Sequence, residues 1–203
     1  MFVRSLQAAP DGSAANRLAP VVQLVAGTGL RLGEVCALRW SDVDLDRGVL
    51  IVYQQAVQIG KELTYSKPKT RSGEDRAVPL AGWVPKLLDS QRRRQVAERL
   101  AFGADYLDTP LVFTQPDGSP LRPSSVSRAF TRLVRSSSLP PCRFHDLRHV
   151  AATTLLQAGV PMPVVSKILG HSSIQITVDT YRHMTVDPAL HDQVHRALSA
   201  FVR

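Results

Sequence analysis

Residues 28–57 read TGLRLGEVCALRWSDVDLDRGVLIVYQQAV, and their pattern changes period part-way along. From Arg31 to Leu38 the apolar positions fall at helical spacing, after an interruption at Thr28-Gly29, and Trp40-Ser41-Asp42 closes the run. Residues 49–57 (VLIVYQQAV) are instead rich in Val, Ile and Tyr, side chains that pack well on a pleated surface, and a strand is predicted there. Its expected neighbours are residues 62–66 and 75–80, on either side of the basic KPKTRSG at 67–73. These segments predict a small antiparallel sheet near the N-terminal part of the chain.

Outward from that sheet the chain reads as helix. Residues 17–27 (RLAPVVQLVAG) are apolar at helical spacing, and residues 1–9 look like the end of another helix, broken by PDGS at 10–13. On the other side, residues 81–101 carry Arg92-Arg93-Arg94 on a helix. Leu111-Val112-Phe113 is short and apolar and runs into a Pro-Asp-Gly turn. Residues 123–137 form a basic helix with Pro123 near its start, and Pro140-Pro141 breaks the chain. Residues 144–158 form a strong helix ended by Gly159, with three shorter helices predicted at 161–169, 173–182 and 187–202. The fold class is therefore α+β, mainly α-helical. With 203 residues, 44% of them hydrophobic, the chain can bury one sizeable core, and residues 1–203 read as a single domain.

The net charge is +8, and arginine outnumbers lysine 20 to 5. A basic surface alone accounts for this; so does a polyanionic partner, because clustered cations displace counterions from phosphate backbones. Two cysteines, Cys36 and Cys142, make no disulfide framework, so a reducing, cytoplasmic setting is expected, with Cys36 in the core. No apolar run approaches 18 residues, so no membrane span is expected.

Three segments carry polar side chains with chemical potential. In FHDLRHVAATTLLQA (144–158), Phe144, Leu147, Ala151 and Leu155 share a stripe, and His145 and Arg148 neighbour each other at its edge. Such a pair suits a phosphate: the guanidinium neutralises oxygens and the imidazole exchanges a proton near neutral pH. An exposed Arg with a capping His is the other reading of the pair, and the simpler one for this segment alone. His145 and His149 also have a zinc-compatible spacing, without further ligands placed to complete a set. In LGHSSIQITVDTYRH (169–183), His171 precedes a helix whose far end holds Tyr181 among polar neighbours. A lone Tyr usually packs; as a nucleophile it needs cations and a base to stabilise the phenolate. In the opening segment, Arg31 starts a helix where the dipole disfavours a cation. An anion bound there would relieve this, and Glu34, one turn on, could orient Arg31.

Taken together, TGLRLGEVCALRW, HDLRH, LGHSS and DTYRH, in that order, resemble the tyrosine recombinase (phage-integrase) family, over roughly residues 17–185. PKTRSGEDRAVPL at 68–80 resembles the family's hairpin that carries a catalytic lysine. The resemblance implies a tyrosine recombinase catalytic-domain fold and site-specific DNA recombination or integration through a 3′-phosphotyrosyl intermediate. It needs no ATP, metal or other cofactor. Carried over residue by residue, Tyr181 is the nucleophile, Arg31 and Arg148 clamp the non-bridging oxygens, and His145 is the base or proton shuttle. His171 hydrogen-bonds a non-bridging oxygen, and Lys69 is the general acid for the leaving 5′-oxygen, with Lys67 as competitor.

The implied partner is double-stranded DNA bearing attachment sites. A homo-tetramer is expected on DNA, a monomer or weak oligomer off it, with accessory directionality and bending proteins. An apolar stripe (Ala189, Leu190, Val194, Ala197, Leu198, Phe201) can dock on its own core or on a neighbouring protomer. The family's N-terminal core-binding domain has no counterpart in these residues, and the first helix reads as truncated. That leaves two alternatives: a remnant that binds DNA without completing recombination, and a type IB topoisomerase-like strand-relaxing enzyme, which uses a similar residue set.

Overall fold

Helix α1 (Ala14–Thr28) carries almost no charge, and Leu18, Ala19, Val21, Val22, Leu24 and Val25 are all buried. A helix apolar on most of its faces must be covered on most of them. Here α3 (Val84–Phe102), α4 (Pro123–Arg135) and α5 (Asp146–Gln157) provide that cover. This computed structural model describes residues 14–68, 73–137, 140–171 and 173. Phe130 of α4 is fully buried and meets the Phe144 ring edge to face, with centroids 5.4 Å apart, which fixes the entry of α5.

After α1 come the short α2 (Leu32–Ala37), a 3-10 turn (Trp40–Asp42) and the strands β1 (Val43–Asp44), β2 (Val49–Val52), β3 (Gln55–Ile59), β4 (Glu62–Ser66) and β5 (Arg76–Pro79). The mixed α+β class stands, but the strand expected over 49–57 is two strands in two sheets. β2 lies between β1 and β5, while β3 pairs with β4 alone among the described residues, all antiparallel. The break falls at Tyr53-Gln54. The Gln54 side-chain amide donates to the Ala37 carbonyl at 2.9 Å, and the Arg39 guanidinium lies 5.9 Å from the centre of the Tyr53 ring. These contacts fasten the chain to α2 and its following turn, so β3 leaves on a new line.

Across β2 and β5, Leu50 faces Val78, and Val52 faces Arg76. Side chains alternate along β5: Arg76 and Val78 point inward, Ala77 and Pro79 outward. The last described helix, α6 (Met162–Leu169), packs on β5 and α5 through Val165 and Leu169. Helices expected at 1–9 and 187–202 lie outside the described residues, as does that at 173–182 apart from Ser173. Among the described residues no helix is long and apolar enough to cross a membrane.

Candidate active site

The last carbonyls of a helix lack intrahelical partners, and the helix dipole makes that end electronegative. At the end of α6 three successive carbonyls each accept from an arginine. Ile168 accepts from Arg76 Nε at 3.0 Å, Leu169 from Arg148 Nη2 at 2.5 Å, and Gly170 from Arg31 Nη2 at 2.9 Å. The arginines arrive from β5, from α5 and from the residue before α2. Gly170 turns the chain out of the helix in the left-handed conformation (φ 67°), and His171 follows, its N–H donating to the Ser166 carbonyl.

Arg148 does not sit at the rim that its place on the α5 stripe suggested. Only 3% exposed, it reaches inward, and its Nη1 donates to the Gly29 carbonyl at 2.6 Å. Gly29 has φ 68°, and a Cβ built there would lie 2.3 Å from Leu169 Cδ2. The α1–α2 turn can approach α6 this closely only with glycine. Burial and, next, the nearby Arg31 charge pull Arg148 down to about 9, so it remains a cation at neutral pH.

Glu34 does orient Arg31. Its carboxylate accepts the Arg31 backbone N–H at 2.7 Å and Nη1 at 2.9 Å. The anion wanted at the start of α2 is thus supplied by the chain itself. The same carboxylate takes a two-pronged contact from Arg76, at 2.9 and 2.6 Å, with both side chains essentially buried. Burial alone would raise the Glu34 carboxyl; the Arg76 hydrogen bond and charge, helped by Arg31, outweigh it and hold the group below its ordinary range. Removing one member of a buried pair strands the other. Glu34→Gln should therefore lower unfolding free energy by about 3 kcal/mol, measured by urea titration, whereas a loss under ~0.5 kcal/mol, typical of a surface change, would show the pair to be idle.

The His145 ring is exposed and meets the His149 ring edge to face at 5.4 Å. Partial burial, then the cations and imidazole nearby, lower the basicity of both. His171 is lowered furthest, to about 4, by burial first and then by the Arg148 and Arg31 charges. All three are neutral at pH 7, so each can accept a proton or a hydrogen bond. Because their folded values lie below the ordinary 6.5, the unfolded chain binds more protons as pH falls from about 6.5 towards 4. Stability should be full above that window and decline within it, with Glu34 adding a further loss only below about 4.5. Urea midpoints at pH 7.5 and 5.0 test this, and His171→Gln should flatten the dependence.

Of the residues singled out in the sequence, Arg31, Arg148 and His171 meet at the end of α6. His145 lies one helical turn before Arg148, at the start of α5. Lys69 and Tyr181 lie outside the described residues; Lys67 is exposed, and its carbonyl accepts from Gln55. Cys36 is buried in the core, its thiol pushed up to about 12. Among the described residues no group of three or more His, Cys, Asp or Glu is placed to hold a metal. The reading by motif passed over Arg76. Its signal was the alternation in RAVP, which sets an arginine on the same inward face as Val78.

Residues 3–187 match the sequence profile of the phage integrase family. The chain belongs to the phage integrase family. A curated relative from Caldanaerobacter subterraneus subsp. tengcongensis, named tyrosine recombinase XerC-like, is 34% identical over 181 residues, covering 83% of this chain and 46% of the relative. The ICEBs1 integrase of Bacillus subtilis (strain 168) is 29% identical over 157 residues, covering 77% and 42%. This phage integrase family member thus spans about half the length of the curated relatives it matches. Among solved structures, the Tn1549 transposon integrase in complex with transposon right end DNA superposes with a TM-score of 0.72 at 26% identity, covering 89% of this chain and 58% of that one. The XerA recombinase superposes with a TM-score of 0.65 at 25% identity, covering 91% and 61%. The α+β fold is that of the family's catalytic domains.

Proposed function

We propose that this chain carries the strand-cutting and rejoining site of a site-specific DNA recombinase, with double-stranded attachment-site DNA as its substrate. The observation that carries this reading is the convergence of Arg31 and Arg148 on the carbonyls that immediately precede His171. Each guanidinium keeps N–H donors beyond those given to carbonyls, and Arg31 is 31% exposed. Two fixed cations beside a neutral imidazole form an anion site built before the anion arrives, the arrangement that best stabilises a charge-gaining phosphorane.

In the proposed reaction the Tyr181 oxygen attacks the scissile phosphorus. The phosphorus–O5′ bond breaks, and the strand's 3′ phosphate stays on the phenol oxygen. Arg31 and Arg148 hold the non-bridging oxygens, and His171 hydrogen-bonds one of them. His145 takes the phenol proton, and Lys69 protonates the departing 5′-oxygen, which is a poor leaving group as an alkoxide. A 5′-hydroxyl from a second strand reverses the step and rejoins the backbone. Bond energy is kept in the phosphotyrosyl link, so the step draws on no nucleotide and no metal. Residues 1–203 act as one catalytic domain, in the cytoplasm. Four protomers assemble on DNA and separate to monomers or weak oligomers off it, with accessory bending and directionality proteins choosing the outcome.

The test uses a pool of nicked duplexes randomised around the nick, so that the released short strand diffuses away and traps the intermediate. A detergent-resistant protein–DNA adduct should form and map by mass spectrometry to the peptide holding Tyr181. An adduct on another residue, or none across the pool, would overturn the proposal.

A further inference from the structure

Arg76 has no role in the reaction proposed above. Its side chain is 3% exposed, and its N–H donors are given to Ile168, Glu34 and Gly73 within the protein rather than left for a phosphate. Yet it is bonded to three segments that the site depends on. Nε donates to the Ile168 carbonyl, three residues before His171. Nη1 and Nη2 grip the two oxygens of Glu34, and Nη1 also donates to the Gly73 carbonyl, in the β4–β5 connection that carries Lys67 and Lys69. Each Glu34 oxygen is shared with Arg31: Oε1 takes Nη1 of both arginines, and Oε2 takes Arg76 Nη2 and the Arg31 backbone N–H.

We infer that Arg76 is a positioning residue for strand cleavage: by holding Glu34 and the end of α6 at once, it sets Arg31 and His171 against the same phosphate. The inference rests on the reading of the site as a DNA-cleaving one. A charge on the core face beside Val78 is a costly way to fill that space, since apolar side chains of similar volume usually serve stability as well or better. What the guanidinium adds is geometry. Its planar fork fixes two oxygens of one residue while its third nitrogen fixes a carbonyl on another element, which an ammonium group cannot do. Arg76 therefore acts through Glu34 on Arg31, and through Ile168 on the segment leading into His171.

Arg76→Lys keeps the charge and removes the fork; Arg76→Gln, a neutral side chain with two donors, stands in if the first variant does not fold. In the folded protein, affinity for the duplex pool should stay within about twofold, while the first-order rate of adduct formation at saturating DNA falls about tenfold to a hundredfold, the scale of a 1 Å misplacement. In DNA-free protein, the NMR titration of His171 should rise from about 4 towards 6.5 in Arg76→Lys. Because the charge is retained there, such a rise reports lost placement. A purely structural ion pair would shrink the folded fraction, and with it the adduct amplitude, and leave both the rate constant and the His171 titration unchanged; that result overturns the inference. A parent chain that forms no adduct would refute the proposed reaction, and the His171 titration would still decide the role of Arg76.

Discussion

Tyr181→Phe should form no detergent-resistant adduct with nicked duplexes, at any pH or time, while binding the same DNA as tightly as the parent chain. The substitution removes one oxygen atom and leaves the ring. Phosphate contacts set most of the affinity for a duplex, and the phenol hydroxyl contributes little to that sum. The covalent bond, in contrast, has no other donor in the proposed mechanism. A water molecule activated by a neutral imidazole in the same cradle could hydrolyse the backbone at most, and hydrolysis leaves no protein on the strand. The loss should therefore be complete, unlike the fractional loss expected when a stabilising cation is changed. An adduct that persists in Tyr181→Phe would move the nucleophile elsewhere in the chain.

Arg148→Lys should slow adduct formation by roughly a hundredfold to a thousandfold, the usual effect of removing one preorganised donor to a transition-state oxygen. The retained charge does not rescue it. Arg148 spans from Gly29 on one side to Leu169 on the other, and a single ammonium cannot cover both carbonyls and a phosphate oxygen with the same geometry. There is also a protonation penalty. The surroundings that pull Arg148 from 12.5 to about 9 would act on an amine that starts near 10.4. They would lower it well below that value. Residual activity of Arg148→Lys should then decline as pH rises through neutrality, because the neutral amine stabilises no negative charge. The parent, still protonated, should show no such decline below about pH 8. Single-turnover rates from pH 6 to 8.5 separate the two, and a flat variant profile would show that the pocket is more open to water than its 3% exposure implies.

Local pattern carried most of the described helices and singled out the segments that meet at the candidate site. Arg31, His145, Arg148 and His171 stand out because each lies in a short segment whose residues are unusual for the element holding them. An arginine starts a helix; a histidine and an arginine share one turn. What local pattern could not supply was distance. The division of the strand at Tyr53-Gln54 depends on Gln54 bonding to Ala37, and no property of VLIVYQQAV alone announces it. The inward turn of Arg148 depends on Gly29, which is 119 residues away. Arg76 was visible in principle, since an arginine two places from an inward valine in a strand must have a buried partner. That partner, Glu34, is 42 residues away and also accepts from Arg31, its neighbour in sequence. Lys69 and Tyr181 rest on their motifs.

The three arginines bound to the end of α6 also bear on when the site comes into being during synthesis. Arg31, Arg76 and Arg148 precede their carbonyl partners by 139, 92 and 21 residues. A chain leaving the ribosome holds Arg31 and Arg76 long before it holds residues 168–170, and Arg148 shortly before, and closing the two long loops costs entropy that only completed packing returns. Until then the cations have no common anchor, and a chain lacking α6 presents no ordered cluster of them. The arginine cluster of the proposed site is thereby assembled only once nearly all of the described core has been made and folded.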